Sequence, residues 1–206
     1  MKTDNTILMR KAREALSGKW GLAIGTFLLY SVIMGSFGAM RQAGALALIL
    51  GGPMMLGAAI FSLKIIRGEE ARVEHLFDGF KNFSNALVAY LLMVLYIFLW
   101  SLLLIVPGII AALSYSMTFF ILAENPALKG QEALRQSKEM MDGHKSKLFT
   151  LYLWFLLLGL GCILTLGIGF LWLIPYAKIT TAAFYEDIKS IDNIDNIPLY
   201  EEKEIV

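Results

Sequence analysis

The chain has 206 residues, of which 57% are hydrophobic and 17% are charged. Soluble domains are typically about 45–50% apolar and about 25% charged, so this composition is typical of a membrane protein. The net charge of +1 argues against a nucleic-acid partner. The one cysteine, Cys162, lies in an apolar run, which excludes a disulfide framework and a thiolate metal site.

The first apolar run follows an N-terminal segment that is rich in basic residues. Trp20–Met40 contains 21 residues without a charged side chain, which is longer than the apolar core of a typical signal peptide. About 20 helical residues cross the hydrocarbon core of a bilayer. We therefore expect this run to be a retained span, followed by a second span over about Ala43–Leu63.

The second pair of spans comes from one uncharged stretch, Asn82–Ala123. As a single helix it would be about 63 Å long, twice the thickness of the hydrocarbon core, so it must turn back. Pro is favoured in the first turn of a helix, and Gly gives the backbone of the connecting turn more conformational freedom. These preferences place the break at Val106–Gly108. The predicted spans are Leu87–Val106 and Pro107–Ala123.

The third pair of spans covers Leu148–Leu166 and about Ile168–Tyr185, with a turn near LGIG at Leu166–Gly169. The sequence therefore predicts an all-α membrane protein with six transmembrane helices arranged as three hairpins. Of the 18 Lys and Arg residues, only Arg41 lies in a tight turn between paired helices. The positive-inside rule then predicts that both termini and both long loops lie in the cytoplasm.

Three short motifs, ALSGKW, LFDGFK and MMDGHK, contain a glycine at Gly18, Gly79 and Gly143. Each motif follows a short amphipathic stretch and precedes a span. Because Gly readily adopts the left-handed conformation that ends a helix, we interpret these glycines as joints after short amphipathic helices on the cytoplasmic surface. The other predicted structural joints are Pro53, Pro107, Gly108, Gly167, Gly169 and Pro175.

The repeated motifs divide a single membrane domain, residues 1–189, into a pseudo-threefold repeat. The predicted units cover about residues 1–65, 66–126 and 127–189. Residues 190–206 are acidic and poor in helix formers, so a flexible cytoplasmic tail is predicted there.

The polar residues of MMDGHKSKLF include Asp142, His144 and Ser146, which have the composition of a catalytic triad. Alternate positions in a chain rarely give the geometry that a triad needs, so we favour a structural joint. The pair Glu74 and His75 matches no zinc motif. We therefore expect no catalytic, cofactor-binding or metal-binding residues, and no enzyme.

Three segments of the chain, LWSLLLIVPGIIAALSYSMTFFILAENP, EALRQSKEMMDGHKSKLFTL and LTLGIGFLWLIPYAKITTAAFYEDI, are distinctive in combination. They closely resemble an uncharacterised bacterial integral-membrane family called domain of unknown function 975, and the resemblance extends to about Asp187. It implies a multipass inner-membrane protein, and it implies no reaction. The chain departs from the family at Trp154–Gly159, where WFLLLG stands in place of the usual SFIGW.

Lys178 allows two interpretations. If the last helix begins near Gly169, Lys178 lies about 13 Å along it, where a charge normally faces a bundle interior or a wet cavity. If the helix begins at Pro175, the side chain can snorkel to the outer headgroups, and we favour this because no span contains an acidic residue.

The hydroxyl-bearing residues near Lys178 either line a polar path or form interhelical hydrogen bonds, and we favour the hydrogen bonds. The residues of this predicted path are Lys178, Thr180, Thr181, Tyr176, Ser114, Tyr115, Ser116 and Thr118.

The predicted function is that of a non-enzymatic accessory, scaffold or immunity-type partner of another membrane system, which docks through its surface helices. The alternative is a small solute transporter or channel, and a lipid-modifying enzyme is a third hypothesis. The expected partners are the lipid bilayer and either another membrane protein or a second copy of this chain. No nucleic acid and no cofactor are expected.

Overall fold

The apolar runs fold into helices that are joined by short turns. The computed structural model describes the backbone of residues 4–39 and 44–195, with side chains for 4–36 and 46–191. Over these residues the chain is all-helical and contains no strand, which confirms the predicted α class. In chain order the helices are α1 (Asn5–Leu16), α2 (Trp20–Ala39), α3 (Gly44–Ile66), a 3₁₀ helix (Val73–Asn82), α4 (Phe83–Leu103), α5 (Ile105–Ser114), α6 (Thr118–Glu124), α7 (Gly130–Met140), α8 (Lys145–Leu164) and α9 (Phe170–Asp195).

Four helical stretches in the described part of the chain are long and apolar enough to cross a membrane. A fifth is added if α1 and α2, which meet at a bend of 100°, are counted as one broken span. Helix α9 is more polar, because it carries Lys178 near its middle and Glu186 and Asp187 towards its end. The four stretches are Leu46–Ile66, Val73–Leu103, Ile105–Glu124 and Lys145–Leu164.

Large apolar side chains face outwards on several of these helices. Leu102 and Leu103 at the end of α4, Ile105 at the start of α5 and Leu164 at the end of α8 are all more than half exposed. Water-soluble monomers rarely expose large apolar patches. We call this exposed surface on α2, α4, α5 and α8 the apolar belt, and it is compatible with a membrane protein.

The three motif glycines have two different roles. Gly18 and Gly143 have φ of 76° and 70°, the left-handed conformation that ends α1 and α7. Gly79 instead lies inside the 3₁₀ helix, where a Cβ would overlap the carbonyl oxygen of Pro53 and the backbone nitrogen of Gly57. The prediction of a joint at Gly79 is therefore corrected to a close contact between the 3₁₀ helix and α3.

The turn in the second pair begins before the VPG sequence that was predicted to form it. Leu104 is extended, with φ of −161° and ψ of 153°, and α5 begins at the next residue. Pro107 therefore lies in the first turn of α5, where a missing N–H leaves no intrahelical bond unmade. Gly108 allows α5 to approach α4, because a Cβ there would overlap the side chain of Ser101.

The remaining predicted joints lie inside α3 or α9, or in the turn between α8 and α9. Pro53 lies within α3 and Pro175 within α9. Gly167 has φ of 87° in the turn between α8 and α9. Gly169 lies against Cys162, whose Sγ would be 2.6 Å from an added Cβ.

The return element of the second pair is two helices rather than the one that was predicted. A turn over Tyr115–Met117 separates α5 from α6. The hydroxyl of Ser137 on α7 donates to the carbonyl oxygen of Ser114 at 2.8 Å, and it accepts from the backbone N–H of Met117 at 3.1 Å. Ser137 is fully buried, so its hydroxyl satisfies backbone groups that the helix break would otherwise leave unpaired.

The short amphipathic helices pack against the long ones. The hydroxyl of Tyr176 on α9 donates to the carbonyl oxygen of Met9 on α1 at 3.2 Å. The 3₁₀ helix lies on α3, where a Cβ at Gly57 would overlap the backbone of Leu76. Helix α7 lies on α4, and Gly130 is in close contact with the α4 backbone. Each predicted surface helix therefore buries one face within the chain itself.

Two predictions fall at the edge of the described residues. Helix α9 continues to Asp195, past the boundary at residue 189 that was predicted for the tail. Arg41, the one basic residue of the tight turns, and residues 196–206 of the predicted tail lie outside the described residues.

Candidate binding site

A cavity of about 610 Å³ lies between side chains of α2, α3, α4, α5, α6, α8 and α9. We call it the interior cavity. Its walls are mainly apolar and include Met55, Ala58, Met93, Phe119 and Phe155. The polar residues that line it are Tyr30, Ser62, Tyr115, Ser116, Tyr152, Lys178 and Thr181.

Lys178 reaches the interior cavity from α9, eight residues after the first residue of that helix, on the same face as Ala177 and Thr181. It forms no hydrogen bond or ion pair with any residue that the structure describes. An ammonium in apolar surroundings is costly unless water or an anion solvates it. Helix α9 begins at Phe170, close to the start at Gly169 that was one of the two alternatives for Lys178, and the side chain lines the interior cavity.

The hydrogen-bond donors that remain free around the cavity are few. Three serine and threonine hydroxyls of the wall already donate to carbonyl oxygens of their own helices, at 2.7–2.9 Å. The ammonium of Lys178 and the hydroxyls of Tyr30 and Tyr115 make no hydrogen bond to a described residue, and the hydroxyl of Tyr152 interacts with that of Thr181. One cation and two phenols suit an acceptor such as a carboxylate, phosphate or sulfonate. The three bonded hydroxyls are those of Ser62, Ser116 and Thr181.

The structure brings together only part of the predicted polar path. The members that line the interior cavity are Lys178, Thr181, Tyr115 and Ser116. The hydroxyls of the other four donate to backbone carbonyls at 2.7–3.2 Å, within their own helix turns or across to α1, and do not line the cavity. These four are Thr180, Tyr176, Ser114 and Thr118.

Sequence reasoning missed three polar residues of the cavity wall. Tyr30 lies on α2, Ser62 on α3 and Tyr152 on α8, so no linear spacing connects them. In the sequence, each of these residues is marked only by a polar group inside an uncharged run. Such a group is equally consistent with a local hydrogen bond and with a binding site. Their convergence is a property of the packing of the three helices.

The polar cluster at the start of α8 forms no catalytic triad. Nδ1 of His144 lies 2.9 Å from the backbone carbonyl oxygen of Asp142, and Lys145 pairs with the Asp142 carboxylate at 3.4 Å. Ser146 is exposed. The other histidine, His75, caps the start of the 3₁₀ helix. Within the described residues, no group of three or more His, Cys, Asp and Glu could hold a metal ion.

Lys147, from the same polar cluster, forms a structural contact that sequence reasoning missed. Its ammonium pairs with Asp187 at 2.7 Å, and the two side chains are only 12% and 6% exposed. The same ammonium lies 5.3 Å from the ring centroid of Phe184. Asn5 on α1 donates to the carbonyl oxygen of Lys147 at 3.1 Å. Lys147 therefore connects α8 to α9 and α1.

A second group of charges joins the ends of α3, α6 and α9. Glu124 accepts hydrogen bonds from Arg67 and, at 2.7 Å, from Lys189. The hydroxyl of Tyr185 donates to the same carboxylate at 2.6 Å, and Arg67 also donates to Glu186 at 2.7 Å. Burial lowers the pKa of Arg67, but its hydrogen bonds to the two carboxylates outweigh burial and raise that pKa above its ordinary value. We call these five residues the charged cluster.

Comparison of the chain with known protein families identifies a family whose match covers the residues of both the charged cluster and the interior cavity. A family model described as a protein of unknown function, DUF975, matches residues 1–114 and 102–192. The chain belongs to this family. No curated protein and no solved structure matches the chain. Because DUF975 has no assigned activity, the function must be argued from the site.

Proposed function

We propose that this DUF975 protein spans a bacterial inner membrane six times and transports a small apolar molecule that carries an anionic group. The uncharged runs and the apolar belt support the spans. The placement of all but one of the 18 Lys and Arg residues outside the tight turns supports cytoplasmic termini.

The contacts of the short helices support a closed pseudo-threefold arrangement within this proposal. The 3₁₀ helix packs on α3 and α1 packs on α9, in each case the return element of the preceding pair, and α7 packs on both α4 and α6. The contact of α1 with α9 connects the first unit to the last. The charged cluster joins the ends of the same three return elements.

The observation that carries the transport proposal is the unpaired ammonium of Lys178 in the interior cavity. Lys178 is partly exposed, so water or an anion can reach its ammonium from the open side of the cavity, and a charge at membrane depth is costly without such a partner. A site that admits water and anions uses that charge directly. Charged residues inside membrane proteins are by default expected to line such pathways.

The chemistry of the cavity wall supports the ligand class. Apolar side chains dominate the wall, so a ligand gains most of its binding free energy from apolar contact. The free donors are Lys178, Tyr30 and Tyr115, so the polar end of the ligand accepts hydrogen bonds. No acid–base pair is needed for binding and release, and the proposal keeps the protein non-enzymatic.

The accessory role that the sequence favoured has less support. That role relied on surface helices free to dock another protein. The apolar positions Leu8, Ala12 and Leu16 of α1, and Ala133 and Leu134 of α7, are buried against the chain's own helices. The faces that remain for a partner are mainly polar, although Ile7 of α1 and Phe77 of the 3₁₀ helix are exposed.

Cysteine labelling tests the proposal. In a Cys162→Ala background, we expect Thr181→Cys to react with a water-soluble sulfonated methanethiosulfonate, because residue 181 lines the interior cavity. Ala182→Cys is the matched control, since this adjacent residue is fully buried. Leu157→Cys in the apolar belt controls for reaction through lipid or detergent. Equal rates at 181 and 182 would contradict a water-accessible cavity.

The same reporter measures the charge of Lys178. We expect Lys178→Gln to slow the sulfonated reagent roughly three- to ten-fold relative to a trimethylammonium reagent, the Coulomb effect of one charge at about 7 Å in a partly wet site. An unchanged ratio would exclude Lys178 as the anion-attracting group.

Reporter fusions test the proposed orientation. Fusions after Gly79 and Gly143 are expected to give cytoplasmic signals, and fusions after Gly108 and Gly167 extracytoplasmic ones. A cytoplasmic signal at Gly167 would contradict the six-span arrangement.

A further inference from the structure

A second, smaller cavity lies on the opposite face of α5. Its volume is about 250 Å³, and its lining includes Trp100, Pro107 and Ser114 together with two lysines, Lys138 and Lys145. Lys138 is exposed and forms no ion pair with a described residue, whereas Lys145 pairs with Asp142 at 3.4 Å. We call this space the basic cavity.

Helix α5 is the partition between the two cavities. Ile109, Ala112 and Leu113 face the interior cavity, and Ile110 and Ala111 face the basic cavity. The two sets of positions lie on opposite sides of the helix, as expected for a helix with a cavity on each side. Helix α5 therefore contributes to the walls of both cavities.

Tyr115 lines both cavities and follows the last residue of α5. Its ring packs on that of Tyr96, with centroids 5.8 Å apart. It therefore lies at the point where a ligand would pass around the end of the partition.

Both ends of α5 are interrupted. Leu104 is extended before it, and the turn over Tyr115–Met117 follows it. Ser137 holds that turn with its two hydrogen bonds. Short helices bounded by breaks are a recurrent element of transporter binding sites.

We propose that the basic cavity is the access site for the anionic group of the ligand, and that Tyr115 and α5 form the gate between it and the interior cavity. The inference rests on the proposed function and adds a second binding position and a route. The ligand class is an oxyanion, carboxylate, phosphate or sulfonate, attached to an apolar body. Lys138 and Lys145 attract the anion, Tyr115 moves aside, and Lys178 receives it.

The test uses the full chain in nanodiscs with Cys162→Ala and the Thr181→Cys reporter. We expect Lys138→Gln with Lys145→Gln to slow the sulfonated reagent about three-fold or more, without slowing the trimethylammonium reagent. Lys11→Gln, a charge change on α1 away from both cavities, is the matched control and should leave both rates unchanged.

The gate is tested by the size of the residue at 115. Tyr115→Ala should raise the labelling rate with both reagents about five-fold or more, because the tyrosine ring no longer blocks access to the interior cavity. Tyr115→Phe keeps the ring but removes a hydroxyl that we assign to the anion site, so neither reagent should be accelerated as in Tyr115→Ala. Met55→Ala enlarges the interior cavity at a residue that does not line the basic cavity, and it should not accelerate labelling as Tyr115→Ala does.

The outcomes separate the two proposals. If Thr181→Cys does not react in any variant, the water-accessible cavity and the proposed function both fail. If it reacts, but substitution of Tyr115, Lys138 and Lys145 does not change the labelling rate, the proposed route is wrong and the water-accessible interior cavity is still supported. Size-exclusion profiles identify misfolded variants, and Tyr115→Leu, which also removes the ring but changes the volume less, keeps the gate testable if Tyr115→Ala misfolds.

Two sources of the oxyanion are then distinguished by competition. Nanodiscs that contain phosphatidylglycerol should slow labelling relative to phosphatidylcholine alone if a lipid headgroup occupies the basic cavity. Added decanoate in phosphatidylcholine nanodiscs should slow it if the ligand arrives from water. Slowing by either supports the access site, and protection by neither overturns it.

Discussion

In the charged cluster the carboxylate of Glu124 receives hydrogen bonds from three side chains, whereas in the interior cavity the ammonium of Lys178 has no partner among the described residues. Both regions lie where helices converge, so burial alone does not distinguish them. The difference is that a paired charge holds helices together, while an unpaired one is free to meet a ligand. Substitutions in the two regions should therefore act in opposite directions on stability.

Removal of the central carboxylate should have the largest effect. Glu124→Ala leaves Arg67 and Lys189 without their shared acceptor, and we expect the free energy of unfolding to fall by about 3 kcal/mol. The loss is at the lower end of the range for buried pairs because the Arg67 and Lys189 side chains are 34% and 36% exposed. Detergent-titrated unfolding of the purified protein measures it.

The control for this substitution is Glu139→Ala on α7, whose carboxylate is 63% exposed and lies 3.8 Å from Arg135. Exposed pairs contribute about 0–1 kcal/mol, so little change is expected. Equal effects of the two substitutions would show that the charged cluster does not hold the return elements together.

The Lys147–Asp187 pair should rank second. Asp187→Ala leaves Lys147 buried without its carboxylate, and we expect a loss of about 2 kcal/mol, moderated by the contact of Lys147 with the Phe184 ring. A double-mutant cycle with Lys147→Ala should give a coupling free energy of about 1 kcal/mol or more. Additive losses would mean that the two side chains do not interact in the folded protein.

The sequence predicted most of the long helices and neither of these pairs. Uncharged runs and length are local properties, so α2, α3, α4 and α8 were expected close to where they lie. Glu124 and Lys189 are 65 residues apart, and Lys147 and Asp187 are 40 apart. Partners at such separations depend on how helices pack, which one sequence does not reveal.

Two misjudged features show the same limit. LFDGFK and MMDGHK look alike, yet Gly143 is a left-handed cap and Gly79 is a contact with α3, because tertiary packing decided the role of Gly79. The break at Tyr115–Met117 contains no Gly or Pro, and a hydroxyl from α7 stabilises it. The two interpretations of Lys178 depended on where α9 begins, and helix boundaries are the weakest part of a sequence-based prediction.

Ser137 is expected to have an intermediate effect. Ser137→Ala leaves the carbonyl of Ser114 and the N–H of Met117 unpaired in a buried place, which costs about 1–2 kcal/mol. Ser146→Ala, at an exposed position, is the control and should change the free energy of unfolding by less than about 0.5 kcal/mol. If Ser137→Ala is as neutral as the control, the hydroxyl does not stabilise the break.

The smallest expected effect on stability, and the sharpest contrast with Glu124, is at Lys178 itself. Lys178→Met keeps the length of the side chain and removes a charge that has no partner among the described residues, so the free energy of unfolding should change by less than about 1 kcal/mol, and in the stabilising direction. The same substitution should remove the preference of the Thr181→Cys reporter for the anionic reagent. Ala177→Met, which adds bulk to the same cavity wall without changing a charge, controls for space. A loss of stability as large as that of Glu124→Ala would mean that Lys178 is held by a structural partner and would contradict its role as the anion-binding group. Stability retained together with loss of anion preference is the result that only an unpaired, solvent-accessible ammonium explains.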